Sequence, residues 1–141
     1  MPVLGAVRGR FARERPLEGR LIAACLHITP ETANLVRALR AGGAEVALCA
    51  ANPLSTQDDV GAALVAEHGV EVLARHGEDR AAYEAHLRAL VALHPQILID
   101  DGAELIVAAH GEGDAAAGLL GATEETRTGL VRLRAMARAG T

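Results

Sequence analysis

The residues able to do chemistry in this 141-residue chain fall in short polar clusters that break the apolar periodicity. His27 and Thr29 form one, Asn52 and Ser55 a second, Asp100 and Asp101 a third, and Glu124, Glu125 and Thr126 a fourth. Together they offer hydroxyls, an amide, an imidazole and several carboxylates. Such a set suits a polyhydroxylated neutral or cationic ligand, because carboxylates accept hydrogen bonds from a sugar diol or an exocyclic amine. A phosphate would need a Gly-rich loop or several basic groups, and neither G-x-G-x-x-G nor G-x-x-x-x-G-K-[ST] occurs. Each cluster also has a plainer explanation. Thr29 and Ser55 read as helix caps, Asp100-Asp101-Gly102 as a turn, and Glu124-Glu125 as acids complementing a helix dipole.

The elements that must position these clusters alternate regularly. A short amphipathic helix is expected over 5–15, ended by Pro16. Arg20 to Leu26 is a continuous apolar run bounded by Gly19, read as a buried strand. Thr29-Pro30-Glu31 then marks a helix start, and Gly42-Gly43 a stop. Further strands are expected at 44–50, 70–74 and 96–100, and further helices at 57–68, 78–93 and 104–110. Residues 121–129 read as a loop leading into a last helix that ends near Arg138. Strand–helix–strand order with short connections implies right-handed crossovers. The fold expected is α/β, a Rossmann-like (flavodoxin-like) three-layer sandwich with a mainly parallel sheet of four to five strands. In such a sheet ligands bind beyond the carboxyl ends of the strands, where the polar clusters fall.

Composition removes several chemistries. All 14 basic residues are Arg, so Schiff-base chemistry, a lysine base and a Walker lysine are excluded. Phe11 and Tyr83 are the only aromatics, which leaves no platform for stacking bases, and the net charge of −4 argues against nucleic acid as a partner. Cys25 and Cys49 stand singly in apolar runs and read as buried, reduced thiols of a cytoplasmic protein. His68, His76, His86, His94 and His110 read as surface residues, and no metal site is expected from the spacing. No apolar run approaches the roughly 20 residues that span a bilayer, and no signal peptide is legible, so no membrane partner is expected.

The sequence resembles the amino-terminal part of the S-adenosylhomocysteine hydrolase family. The resemblance is carried by Ala24-Cys-Leu-His-Ile-Thr-Pro-Glu-Thr32, Leu39-Arg-Ala-Gly-Gly-Ala-Glu-Val46, Asn52-Pro-Leu-Ser-Thr-Gln-Asp-Asp59, Ile99-Asp-Asp-Gly102, and Thr123-Glu-Glu-Thr126 with Thr128-Gly129. Arg132-Leu-Arg-Ala-Met136 matches the helix that follows. The resemblance implies a single substrate-binding domain over 1–141, truncated relative to the family. It implies that Thr29 and Glu31 meet the adenine edge with Ser55 nearby, and that Glu125 and Thr126 meet the ribose hydroxyls. His27 and Asp101 would flank the C4′–C5′ bond as acid–base groups, with Asn52 and Gln57 shaping the pocket.

The same resemblance exposes departures. The family's NAD-binding domain, with its Gly-rich loop, has no counterpart in these residues, so NAD is not expected to bind this chain alone. The family's triple threonine reads Thr126-Arg127-Thr128 here, which places a cation where a nicotinamide would approach, and Glu104 replaces an Asp. The expected function is therefore binding of an adenosyl ligand (S-adenosylmethionine, S-adenosylhomocysteine or adenosine). Its expected form is a repurposed, NAD-independent lyase or hydrolase in which His27, Asp101 and Glu125 carry the acid–base work. The alternative is a non-catalytic nucleoside-binding module, or a subunit that pairs with a separate NAD-binding chain. An uncovered sheet edge predicts a homo-oligomer, with the last helix at its interface.

Overall fold

The computed structural model describes residues 1–111 and 113–140. Helix α1 covers Pro2–Glu14, β1 Leu21–Leu26, α2 Pro30–Ala41 and β2 Glu45–Ala50. A 3-10 turn at Pro53–Ser55 precedes α3, Asp58–His68, which leads to β3 at Glu71–Leu73. Helix α4, Arg80–Ala92, precedes β4 at Ile97–Asp100 and α5 at Glu104–Gly111. After a 3-10 segment at Gly113–Gly118 come β5, Gly121–Glu124, and α6, Arg127–Ala139.

All neighbouring strands pair in parallel, in the order β3-β2-β1-β4-β5. The α/β, Rossmann-like expectation holds. The chain steps outward from β1 to β2 and β3, then crosses back to β4 on the other side of β1. A crevice therefore opens between the carboxyl ends of β1 and β4, where the connections diverge.

Alternation along the central strands divides the core in two. Ala23, Cys25, Ala47, Cys49 and Leu98 face α4 and α5, packing on Leu90, Val91 and Leu105. Ile22, Ala24, Leu26, Val46 and Leu48 face α2 and α3, packing on Val36 and Leu64. Both cysteines are buried and free, and they sit directly opposite each other in the β1–β2 register.

The structure corrects the sequence reading at β5, where a strand replaces the expected loop. Gly-Ala-Thr-Glu carries no apolar alternation and its first three residues are exposed, so no periodic signal marks it. Its place is set by β4: Gly121 to Glu124 pair with Ile97 to Asp100, and Leu120 N–H donates to Gln96 O at 2.7 Å. Helix α1 starts three residues earlier than expected, at Pro2, and ends at the left-handed Arg15 before Pro16.

Candidate functional site

Register brings the site together. Cys25 on β1, Asp100 on β4 and Glu124 on β5 lie side by side across the sheet. Pairing continues one step further, because Asp101 N–H donates to Cys25 O and Glu125 N–H to Asp100 O, each at 3.0 Å. With strands about 4.8 Å apart, the residues just beyond them must share one rim. His27, Asp101 and Glu125 are those residues.

The β2–α3 connection is fastened to the same rim on both sides of His27. Ala51 N–H donates to Leu26 O and Gln57 N–H to Ile28 O, each at 3.0 Å. The turn between them is closed by Asn52, whose Oδ1 accepts from Leu54 N–H at 2.9 Å. This suspends Ser55 over the imidazole. Ser55 Oγ lies 2.5 Å from His27 Nδ1, and it donates to Asn52 O at 2.9 Å. On the other side of the ring, Nε2 lies 3.3 Å from Asp101 Oδ2. The His27 side chain remains 43% exposed, so the pair can reach a ligand.

Carboxylates surround this pair with distinct environments. Partial burial of the Glu125 carboxyl pushes its pKa up, and the negative charges of Asp101 and Glu124 push the same way, while His27 opposes them. Glu31 behaves in the opposite manner. Its own backbone N–H and the Thr29 hydroxyl hold the carboxyl below the usual range at the start of α2. Thr29 occupies the N-cap position of α2 but makes no side-chain cap bond to the helix. Ser55 does not cap α3 either, since Gln57 occupies that position. Gln57 is exposed, like Asn52.

Two acids have structural work that the sequence reading did not separate from the site. Glu124 accepts from Gly102 N–H, Ala103 N–H and Thr126 N–H at 3.0, 2.8 and 2.7 Å, and from the Thr126 hydroxyl at 2.6 Å. Burial alone would raise its pKa, but these donors outweigh burial and hold it low. Asp100 is fully buried, and its two oxygens accept from Asp101 N–H and Ile106 N–H at 3.0 and 2.8 Å. Burial pushes its pKa up to about 6. The signal that identifies both is an acid placed just before a helix start, where unpaired backbone N–H groups gather.

Thr126 caps α6, accepting from Gly129 N–H at 2.9 Å while donating to Glu124. One lone pair of its hydroxyl stays free. Arg127 is exposed at the first position of α6. Of the histidines expected at the surface, His68 and His86 are half-buried, and His86 Nδ1 lies 3.1 Å from Glu78 Oε2. His76 is exposed, but its ring bonds Thr56 O at 3.0 Å and helps hold the Ser55 turn.

An open groove of about 410 Å³ adjoins the rim on the α4 side. It runs between the Asn52–Leu54 turn, Tyr83 and Glu84 of α4, and Glu104 of α5. Asn52 belongs to both features, since its backbone carbonyl receives the Ser55 hydroxyl. The loop after β1, His27-Ile28-Thr29, contains no glycine, so it is not built for close approach of a dinucleotide pyrophosphate. Among the described residues, no group of three or more His, Cys, Asp or Glu is arranged to hold a metal ion. No helix among the described residues is long and apolar enough to cross a membrane.

Comparison with known proteins supplies an independent finding. The family model described as S-adenosyl-L-homocysteine hydrolase matches residues 1–118. An adenosylhomocysteinase of Aquifex aeolicus is 57% identical over 141 residues, covering 99% of this chain and 34% of the relative. An adenosylhomocysteinase of Gloeobacter violaceus is 54% identical, covering 99% of this chain and 33% of the relative. An S-inosyl-L-homocysteine hydrolase of Methanopyrus kandleri is 52% identical with the same coverage. The chain thus spans about a third of the length of the curated relatives it matches.

Proposed function

The chain belongs to the S-adenosyl-L-homocysteine hydrolase family, and on that premise we propose that its rim binds an adenosyl sulfur compound and acts on it by acid–base chemistry without NAD. The observation that carries this reading is the convergence of His27, Ser55, Asp101 and Glu125 at the β1–β4 crevice. Glu31 and Thr29 read the adenine edge. Glu31 is held ionised at a helix start, so it accepts from the exocyclic amine. Glu125 and the free lone pair of Thr126 take the ribose hydroxyls. Asn52 and Gln57 shape the wall, and the groove between the Asn52–Leu54 turn and α4 receives the amino-acid tail.

A thioether is a poor leaving group, whereas a sulfonium departs as a neutral thioether. The reaction proposed for His27 and Asp101 is hydrolysis at C5′ of a sulfonium. Water loses a proton to the pair as its oxygen bonds C5′, the C5′–S bond breaks, and the sulfur keeps the electron pair. The proton then passes to solvent. The members of the pair contact each other directly, as proton transfer between them requires. The reading includes one domain over 1–141 and association between copies through the last helix, α6, where Leu130 and Val131 are exposed; light scattering would report a dimer or larger species.

A second reading on the same family membership is a non-catalytic nucleoside-binding module, or a subunit that pairs with a separate NAD-binding chain. Incubation with S-adenosylmethionine or S-adenosylhomocysteine without NAD, followed by product analysis and calorimetry, separates the two. Adenosine released from the sulfonium supports the enzyme. Saturable binding with intact substrate supports the binding portion. Absence of both binding and product overturns the adenosyl reading itself.

A further inference from the structure

We propose that Arg132 of α6 is a positioning residue for Asp101, acting through the turn that joins β4 to α5. Asp101 is tied on its upstream side, where its N–H donates to Cys25 O at 3.0 Å. Downstream the chain enters α5 at Glu104, and it does so with φ at +108° in Gly102 and +64° in Ala103. Glycine takes such a value freely, whereas an alanine side chain crowds the backbone there. Ala103 is fully buried, and its carbonyl accepts from Val107 N–H at 3.0 Å. It therefore stands just before the first helical turn, where backbone is ordinarily extended. Turning the Gly102–Ala103 peptide over would give Ala103 that ordinary negative φ. Such a rotation changes only ψ of Gly102 and φ of Ala103, so the alternative is open to the chain.

Two side chains oppose the rotation by holding this peptide at both ends. Glu124 accepts from Ala103 N–H at 2.8 Å, and Arg132 Nη1 donates to Gly102 O at 3.0 Å. A rotated peptide would set its oxygen against the carboxylate and its N–H against the guanidinium, acceptor on acceptor and donor on donor. The same Arg132 nitrogen donates to Glu104 Oε1 at 2.6 Å, which fixes the guanidinium between the turn and α5. Glu124 also accepts from Gly102 N–H at 3.0 Å, and so holds the preceding peptide, the one that leaves Asp101. Held in this form, the turn aims Asp101 Oδ2 at His27 Nε2, 3.3 Å away. This inference deepens the acid–base reading above and rests on it only for what the His27–Asp101 pair acts upon.

NMR of the full chain without ligand tests it through Arg132→Met, which keeps the aliphatic stem and removes the donor. The one-bond Cα–Hα coupling of Ala103 reports the sign of φ. The ring signals of His27, assigned by their loss in His27→Asn, report the carboxylate beside it. In the unaltered protein Ala103 should show positive φ alone. Arg132→Met should add a form with negative φ. Its His27 pH profile should move to lower pH, the direction that Asp101→Asn gives, because a displaced carboxylate no longer favours the charged ring. Loss of a cation alone would move that profile to higher pH. Ala103→Gly, added to Arg132→Met, removes the steric reason to rotate and should return the profile toward that of the unaltered protein. Positive φ alone in Arg132→Met, a profile unmoved or moved to higher pH, or no return with Ala103→Gly would each overturn the proposal. Failure of adenosine to bind would remove the functional reading and leave this result intact.

Discussion

On the proposed reading, Glu31 sets the discrimination expected of the site. Its carboxylate only accepts hydrogen bonds while ionised, and the Thr29 hydroxyl with its own backbone N–H holds it in that form. Adenine offers an amine to such a group, whereas hypoxanthine presents a carbonyl oxygen that opposes it. The family contains hydrolases named for both the adenosyl and the inosyl compounds. The chain should therefore prefer adenosine to inosine. Glu31→Gln, whose amide can turn to donate, should narrow that preference by roughly tenfold. Titration of both nucleosides against both proteins checks this. An unchanged ratio would remove Glu31 from the base edge. His27 and Asp101 were legible in the sequence because strand-end polar residues interrupt an apolar run. The contacts of the Ser55 hydroxyl with His27 and Asn52 O were not, because spacing does not reveal which nitrogen an imidazole turns toward a neighbour.

At the scale of elements, Glu124 fastens two helix starts to each other. It gathers backbone N–H groups before α5 and at the start of α6, and an added Cβ on Gly129 would lie 2.2 Å from its carboxyl carbon. Glu124→Ala should cost about 2–3 kcal/mol in denaturant unfolding, the range for charged hydrogen bonds lost at a partly buried site. Gly129→Ala should cost about 1–3 kcal/mol by overpacking against that carboxylate. Combined, the two should cost clearly less than their sum, because removing the carboxylate makes room for the methyl. Strict additivity would contradict the described contact.

Asp100 makes the opposite contribution with pH. Its folded pKa lies at about 6, above the unfolded value, so the folded chain holds a proton there that the unfolded chain has released. Its contribution to stability is full below about pH 4 and is lost as pH rises through 6. Stability measured relative to Asp100→Asn should fall across that window by about 3 kcal/mol. A difference that stays flat from pH 4 to 7 would show that Asp100 is not raised. The sequence offered a helix-start role for Glu124 beside a ligand role and could not choose between them, and it read Asp100 as part of a turn, because an acid before a helix reads the same whether it faces a ligand or a backbone. Strand β5 escaped for a different reason: Gly-Ala-Thr-Glu is placed by its neighbour β4, and local pattern does not announce it.

Across the whole molecule, one topological fact organises the account. The strand order β3-β2-β1-β4-β5 leaves β1 and β4 as neighbours whose connections run to opposite sides. Continuous apolar runs bounded by caps and glycines made that architecture legible, since a strand buried on both faces and a capped amphipathic helix both leave strong patterns. Polar clusters far apart in sequence then had to meet at one edge of the sheet, and the hydrogen bonds from Asp101 N–H to Cys25 O and from Glu125 N–H to Asp100 O show how they do. Chemical-shift mapping of the chain during titration with adenosine tests the central claim most directly. Saturable shifts concentrated at His27, Thr29, Glu31, Asp101 and Glu125 are the predicted result. Shifts confined to the far end of the sheet, or none at millimolar adenosine, would contradict it.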